Sequence, residues 1–131
     1  MPAELTQILI AVVLVAGHFV PFAIIANRDL GTDYTTGPRD APMTGLSKVG
    51  GRLQRAYQNY LESLPWFIAV MLVAHLTERA DSLVIIAGWM YLAARIAYVP
   101  AYVSATGFLR SAVWMVATGA IFAVAFRLLL F

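Results

Sequence analysis

Of the chain's 131 residues, 61% are hydrophobic and 12% charged, with a mean hydropathy of +0.77; soluble domains carry about 25% charged residues, so this composition excludes one and indicates an integral membrane protein. The length admits about four spans of roughly 20 residues with short connections, so residues 1–131 are read as a single all-α membrane domain. The net charge of +2 comes from dispersed basic residues, which excludes a nucleic-acid patch, and the lack of cysteine excludes a disulfide framework, a thiolate metal site and a cysteine nucleophile.

The first span is predicted over about residues 5–27. No charge occurs from Leu5 to Asn27, no basic stretch precedes it and no small-residue cleavage site follows, so it is read as a retained helix rather than a signal peptide. Pro21 is expected to kink it. From Arg28 to Arg52 the glycines and prolines Gly31, Pro38, Pro42 and Gly45 break any period, which reads as a polar connection outside the hydrocarbon. A second span is expected at about 51–76, a third at 82–103 and a fourth at 110–130, with a short turn at Thr77 to Asp81 and a tight connection at Ser104 to Leu109. Arg28, Arg39, Lys48, Arg52, Arg55 and Arg110 outnumber Arg79 and Arg127 on the opposite side. The positive-inside rule therefore places the first and third loops in the cytoplasm.

Two spans carry polar stripes. Arg52, Arg55, Asn59 and Glu62 recur at steps of three, four and three residues, one face of a helix that leads into a charge-free run. In the third span, Gly88, Tyr91, Tyr98 and Tyr102 share a face with Arg95. Ionisable groups at bilayer depth face a bundle interior or a wet cavity, so two striped helices imply a shared site.

Arg55-Ala56-Tyr57-Gln58-Asn59-Tyr60-Leu61-Glu62-Ser63-Leu64-Pro65-Trp66-Phe67 resembles the Arg-Ala-x-x-Asn-x-x-Glu-x-x-Pro-x-Phe signature of the MAPEG family, the membrane-associated proteins in eicosanoid and glutathione metabolism. Ala94-Arg95-Ile96-Ala97-Tyr98-Val99-Pro100-Ala101-Tyr102, followed by Arg110-Ser111, is similar to the same family's third and fourth helices. The resemblance covers essentially the whole chain. It implies a homotrimer of four-helix membrane subunits, with glutathione as co-substrate in a cleft between neighbours and a lipophilic small molecule as second substrate. By the resemblance, Arg28, Arg52, Arg55, Asn59 and Glu62 cradle glutathione, whose two carboxylates and ammonium call for guanidinium forks and an acid or amide. Tyr98, Tyr102, Arg110, Ser111 and Trp114 come from the other side of the cleft. Arg110 is the expected catalytic residue, because a guanidinium beside a thiol favours the thiolate, and Ser111 adds a hydrogen bond to the same sulfur. Gln58, Tyr98 and Trp114 replace an arginine, a histidine and a tyrosine found in better-known members. These departures favour a general glutathione transferase or peroxidase, in the manner of the microsomal transferases, over prostaglandin or leukotriene synthesis. A bacterial member in an inner membrane is expected.

Plainer readings stand beside these. Arg52 and Arg55 serve equally as interfacial anchors, and Tyr98 and Tyr102 as aromatic packing. Glu62 and Arg95 are expected to form a buried structural ion pair. His18 is read as a core histidine bonded to a neighbouring helix, His75 as a cap on the second span, and Gly17, Gly88 and Gly119 as points of close helix approach. No metal is proposed, since neither histidine has partners at ligand spacing. The alternatives to an enzyme are a small four-helix cation exporter, which would need a carboxylate in mid-helix of the first span, and an inactive family member that binds glutathione or lipid.

Overall fold

A backbone in hydrocarbon has no water to bond, so each peptide group must be satisfied within the chain, and here helices do this. The structure, a computed structural model, describes residues 1–104 and 107–131. Among these residues lie five helices and no strand: α1 (Ala3–Leu30), α2 (Thr32–Thr36), α3 (Lys48–Leu76), α4 (Ser82–Val103) and α5 (Gly107–Leu130). All but α2 are long and apolar enough to cross a membrane.

The helix ends differ from the sequence expectation for local reasons. α1 runs on to Leu30 and stops at Gly31, whose φ of 84° suits glycine and whose N–H bonds the Asn27 carbonyl at 3.0 Å. The connection is not wholly irregular, because Thr32–Thr36 closes one short helix, with the Thr36 hydroxyl donating to the Thr32 carbonyl at 2.7 Å. α3 begins at Lys48 rather than Gly51 because Ser47 caps it, its Oγ accepting the Gly50 N–H at 3.1 Å. Asp81 caps α4 in the same way, accepting the Val84 N–H at 3.1 Å. α5 already includes Gly107 to Leu109, so the expected turn is shorter; its Ala105 and Thr106 lie outside the described residues.

α3 and α4 form the central seam. α1 lies mainly on α3 and α5 mainly on α4, and α1 and α5 do not meet. Tyr60, Phe67 and Met71 of α3 and Val84, Tyr91 and Leu92 of α4 fill the seam, with the Phe67 and Tyr91 rings stacked 4.1 Å apart. Lipid tails are as apolar as leucine, so packing and interhelical hydrogen bonds must hold such a bundle, at about 0.6 kcal/mol per bond. The bonds are present at several depths. Gln7 Nε2 donates to the Ile85 carbonyl at 2.9 Å, the Tyr60 hydroxyl donates to the Ala11 carbonyl, Ser63 and Tyr91 share a hydroxyl bond of 2.8 Å, and His75 Nδ1 meets Glu4 Oε1 at 2.9 Å. Outward, Ile24, Trp66, Ile86, Ile96 and Met115 are exposed, as a bilayer-facing surface requires.

Several expectations need correction. His75 ties the end of α3 to the start of α1 through Glu4. His18 bonds its own helix, at Leu14 O, 2.8 Å, and stacks on Tyr60 of α3 at 4.2 Å. Of the three glycines, only Gly88 faces a close neighbour; a Cβ there would lie 2.2 Å from Gln7 Oε1, whereas Gly17 and Gly119 have open space. The close approach between α1 and α3 falls instead at Gly50, where a Cβ would meet Asp29 Oδ2 at 2.9 Å and Ile25 Cγ2 at 3.0 Å.

Candidate functional site

Three helix ends converge at one end of the bundle: the first turns of α3, the last turn of α4 and the first turns of α5. Tyr98 and Tyr102, four residues apart, present their rings from one face of α4, and Arg110, Ser111 and Trp114 do so from α5. These five side chains line a cleft of about 340 Å³. Tyr98 is buried at its base, its ring edge-on to Tyr102 with centroids 5.6 Å apart, while Arg110, Ser111 and Trp114 are exposed at the opening.

Tyr102 joins the two sides. Arg55 Nε of α3 donates to its hydroxyl at 3.0 Å, and the Arg110 guanidinium of α5 lies 5.0 Å from its ring centroid. An electron-rich ring thus holds two cations in one neighbourhood. Accepting from Arg55 leaves the phenol's own hydrogen free to donate. Arg52 sits one turn before Arg55 and donates to the Val103 carbonyl at 2.8 Å, closing an orphan carbonyl at the end of α4. Its expected role as an anchor therefore has a specific form: it fastens α3 to α4 beside the cleft.

Below the cleft, Arg95 is 1% exposed and lies among the rings of Tyr60, Tyr91 and Tyr98 at 5.9, 5.6 and 5.2 Å. Its partner is Asn59, whose Oδ1 accepts from Nη1 at 2.7 Å. The expected Glu62–Arg95 ion pair is absent. Glu62 is exposed and without an ion pair among the described residues, while Asn59, three residues earlier, bonds Arg95. A neutral amide satisfies the guanidinium without desolvating a second charge.

The structure therefore brings together Arg55, Tyr98, Tyr102, Arg110, Ser111 and Trp114, with Arg52 and Asn59 adjacent on α3 as bracing residues. Arg28 and Glu62 are not part of this cleft. Arg28 is exposed at the end of α1, where its Nε lies 3.4 Å from Asp29 Oδ1. Sequence reasoning missed the support given by Tyr60 and Ser63, although both stand inside the signature segment. It also missed Asp29, whose Oδ2 accepts the Ser47 N–H at 2.8 Å and pins α1 to the start of α3. Nothing in the spacing distinguishes Asp29 from an ordinary flanking charge.

A sequence model described as the MAPEG family matches residues 7–130, nearly the entire chain. The chain belongs to the MAPEG family. No curated protein and no solved structure gives a significant match. MAPEG proteins are membrane-bound and include glutathione transferases and peroxidases among other members.

Proposed function

We propose that this MAPEG protein is a glutathione-dependent membrane transferase or peroxidase acting in detoxification, and that Arg110 activates the thiol of bound glutathione. The observation that carries this reading is the placement of Arg110 and Ser111 at the mouth of a cleft whose far wall is Tyr102 braced by Arg55. A thiolate beside Arg110 is stabilised by the guanidinium charge and by a hydrogen bond from the Ser111 hydroxyl, which raises the nucleophile's population at neutral pH. Arg55, with Arg52 beside it, offers guanidinium forks to the peptide's carboxylates.

Trp114 closes the side of the cleft that a lipophilic electrophile or hydroperoxide would approach from the bilayer. In conjugation the thiolate sulfur's electron pair forms a bond to the electrophilic carbon and the leaving group departs with the electron pair of the carbon bond that breaks. In peroxide reduction the sulfur attacks the terminal peroxide oxygen, the O–O bond breaks, the alkoxide leaves and takes a proton as alcohol, and a second glutathione converts the resulting sulfenic acid to the disulfide with release of water. Holding both reactants in one cleft contributes much of the acceleration in either case.

A homotrimer fits the positions of Arg28 and Glu62. Both are assigned to the cradle, both lie outside one chain's cleft, and a neighbouring subunit would bring them in. The excess of basic residues in the first and third loops supports placing these loops in the cytoplasm, with a bacterial inner membrane as the location. A cation exporter is disfavoured because the carboxylates of α1, Glu4 and Asp29, stand at its ends and are engaged by His75 and by the Ser47 N–H.

The test is glutathione binding to the purified protein, followed by the ultraviolet absorbance of the thiolate. Arg110→Ala is expected to abolish the thiolate signal and most turnover while glutathione affinity changes by less than about threefold; Arg55→Ala is expected to weaken binding about tenfold with little change in the bound thiol's ionisation. Equal effects of both variants on both quantities would refute the separate roles.

A further inference from the structure

The first connection folds back over α1 and encloses a second cavity, of about 220 Å³, that shares no residue with the Tyr102 cleft. Its floor is apolar, with Phe19, Phe22 and Ala23 from the second half of α1. Its rim is polar, with Tyr34, Thr36 and Arg39 from α2 and the loop that follows. The lining residues of α1 run from Phe19 to Leu30, about 16 Å along the axis, from inside the charge-free run to its polar end. This gradient matches an amphiphile lying along a membrane normal.

Arg39 at the rim has a φ of 57°, in the left-handed region that an arginine adopts only where its surroundings hold it. Its own side chain supplies the hold: Nε and Nη2 both donate to the Thr35 carbonyl, at 3.1 and 2.6 Å. The Tyr34 hydroxyl donates to the Ala41 carbonyl at 2.8 Å and ties the loop down over the cavity. Although Asp33 and Asp40 are near in sequence, Arg39 forms no ion pair among the described residues. A fixed, uncompensated cation therefore stands at the polar end of an apolar hole.

We propose that this cavity holds one acyl chain of an anionic membrane lipid, with the chain against Phe19 and Phe22 and the headgroup's negative charge at Arg39. The volume lies below the roughly 300 to 1,000 Å³ of drug-sized ligand pockets, which suits the headgroup-proximal part of a single chain whose end runs on along α1 into the bilayer. Val20 and Ile24, exposed on the same half of α1, leave the second chain a path into the bilayer. The interaction is independent of glutathione.

Detergent-purified protein titrated with phosphatidylglycerol, phosphatidylcholine or inorganic phosphate tests the proposal, with lipid retention read by native mass spectrometry and stability by the melting temperature. Phosphatidylglycerol is expected to be retained and to raise the melting temperature, with phosphatidylcholine weaker and inorganic phosphate inert. Arg39→Gln should weaken phosphatidylglycerol binding about fivefold, the value of one basic residue near an anionic headgroup. Ala23→Leu, which fills the floor and leaves Arg39 in place, should remove the retained lipid. Equal binding of phosphatidylcholine, reproduction of the effect by inorganic phosphate alone, or wild-type affinity in both variants would each overturn the proposal.

Discussion

Arg95 carries a charge into the centre of the bundle and finds no carboxylate there. Three tyrosine rings and the Asn59 amide take its place, and its Nε has no hydrogen-bond partner among the described residues. Cation–π attraction strengthens where water is excluded, up to about 2 kcal/mol, and the neutral amide avoids a second ionic desolvation. The ring at 5.2 Å belongs to Tyr98, the base of the cleft, so the cation also fixes one wall of the site. A double-mutant cycle distinguishes this from an ion pair with Glu62. Asn59→Ala and Arg95→Leu are expected to be non-additive in thermal stability by about 0.5–3 kcal/mol, whereas Glu62→Gln and Arg95→Leu should add within about 0.5 kcal/mol. Strong coupling to Glu62 would restore the ion pair that is not formed within one chain.

The four spans, their order and the two striped faces were legible in the sequence, because long apolar runs with so few charges have few other solutions and helical periodicity places Arg55 and Tyr102 on faces that can meet. Contacts through the backbone were not: the Val103 carbonyl that Arg52 caps and the Thr35 carbonyl that Arg39 caps leave no mark in residue identity. Nor does spacing tell which of Asn59 and Glu62, three residues apart, turns inward to Arg95. Gly88 was legible as a point of approach, but what approaches is the side chain of Gln7 rather than a helix backbone. Gly88→Ala should therefore destabilise the bundle by about 1–3 kcal/mol, the usual effect of overpacking. In the Gln7→Ala background the same substitution should be nearly neutral; an equal loss in both backgrounds would place the clash elsewhere. Helix caps give a second prediction at this scale. The Val84 N–H, and after it the Arg127 guanidinium 2.8 Å away, hold the Asp81 carboxyl below the usual carboxylate range. A lowered folded pKa contributes stability that is present above the unfolded value of about 4 and is lost as pH falls through the folded value. Melting temperature followed from about pH 6 to about pH 3 should fall more steeply for the native protein than for Asp81→Asn, which keeps a capping oxygen and loses the charge. Parallel curves would show that the Asp81 carboxylate adds nothing that the amide lacks.

At the scale of the whole molecule, one chain supplies a cleft with an exposed arginine, a braced tyrosine and an apolar wall, yet leaves Arg28 and Glu62 exposed. Glu62 lies well inside α3, and a carboxylate at that depth is costly in contact with lipid. A second copy of the chain that covers Glu62 and presents its own Arg28 would remove that cost and complete an anion cradle, and closed cyclic symmetry would repeat the arrangement in every subunit. Subunit mixing reads this directly. Arg28→Ala and Glu62→Ala chains, each expected to bind glutathione poorly alone, are co-expressed at equal levels with different tags, and assemblies carrying both tags are purified. If each cleft takes Glu62 from one subunit and Arg28 from its neighbour, random mixing restores both residues in about a quarter of all clefts, with a larger share in the doubly tagged fraction. Glutathione binding should reappear in that fraction at a stoichiometry to match. If both residues serve a site within a single chain, every cleft in the mixture lacks one of them and binding stays at the level of the separate variants. Glutathione binding by the native protein with no assembly larger than one chain would contradict the trimer while sparing the cleft, because the Arg55–Tyr102–Arg110 arrangement is complete within one subunit.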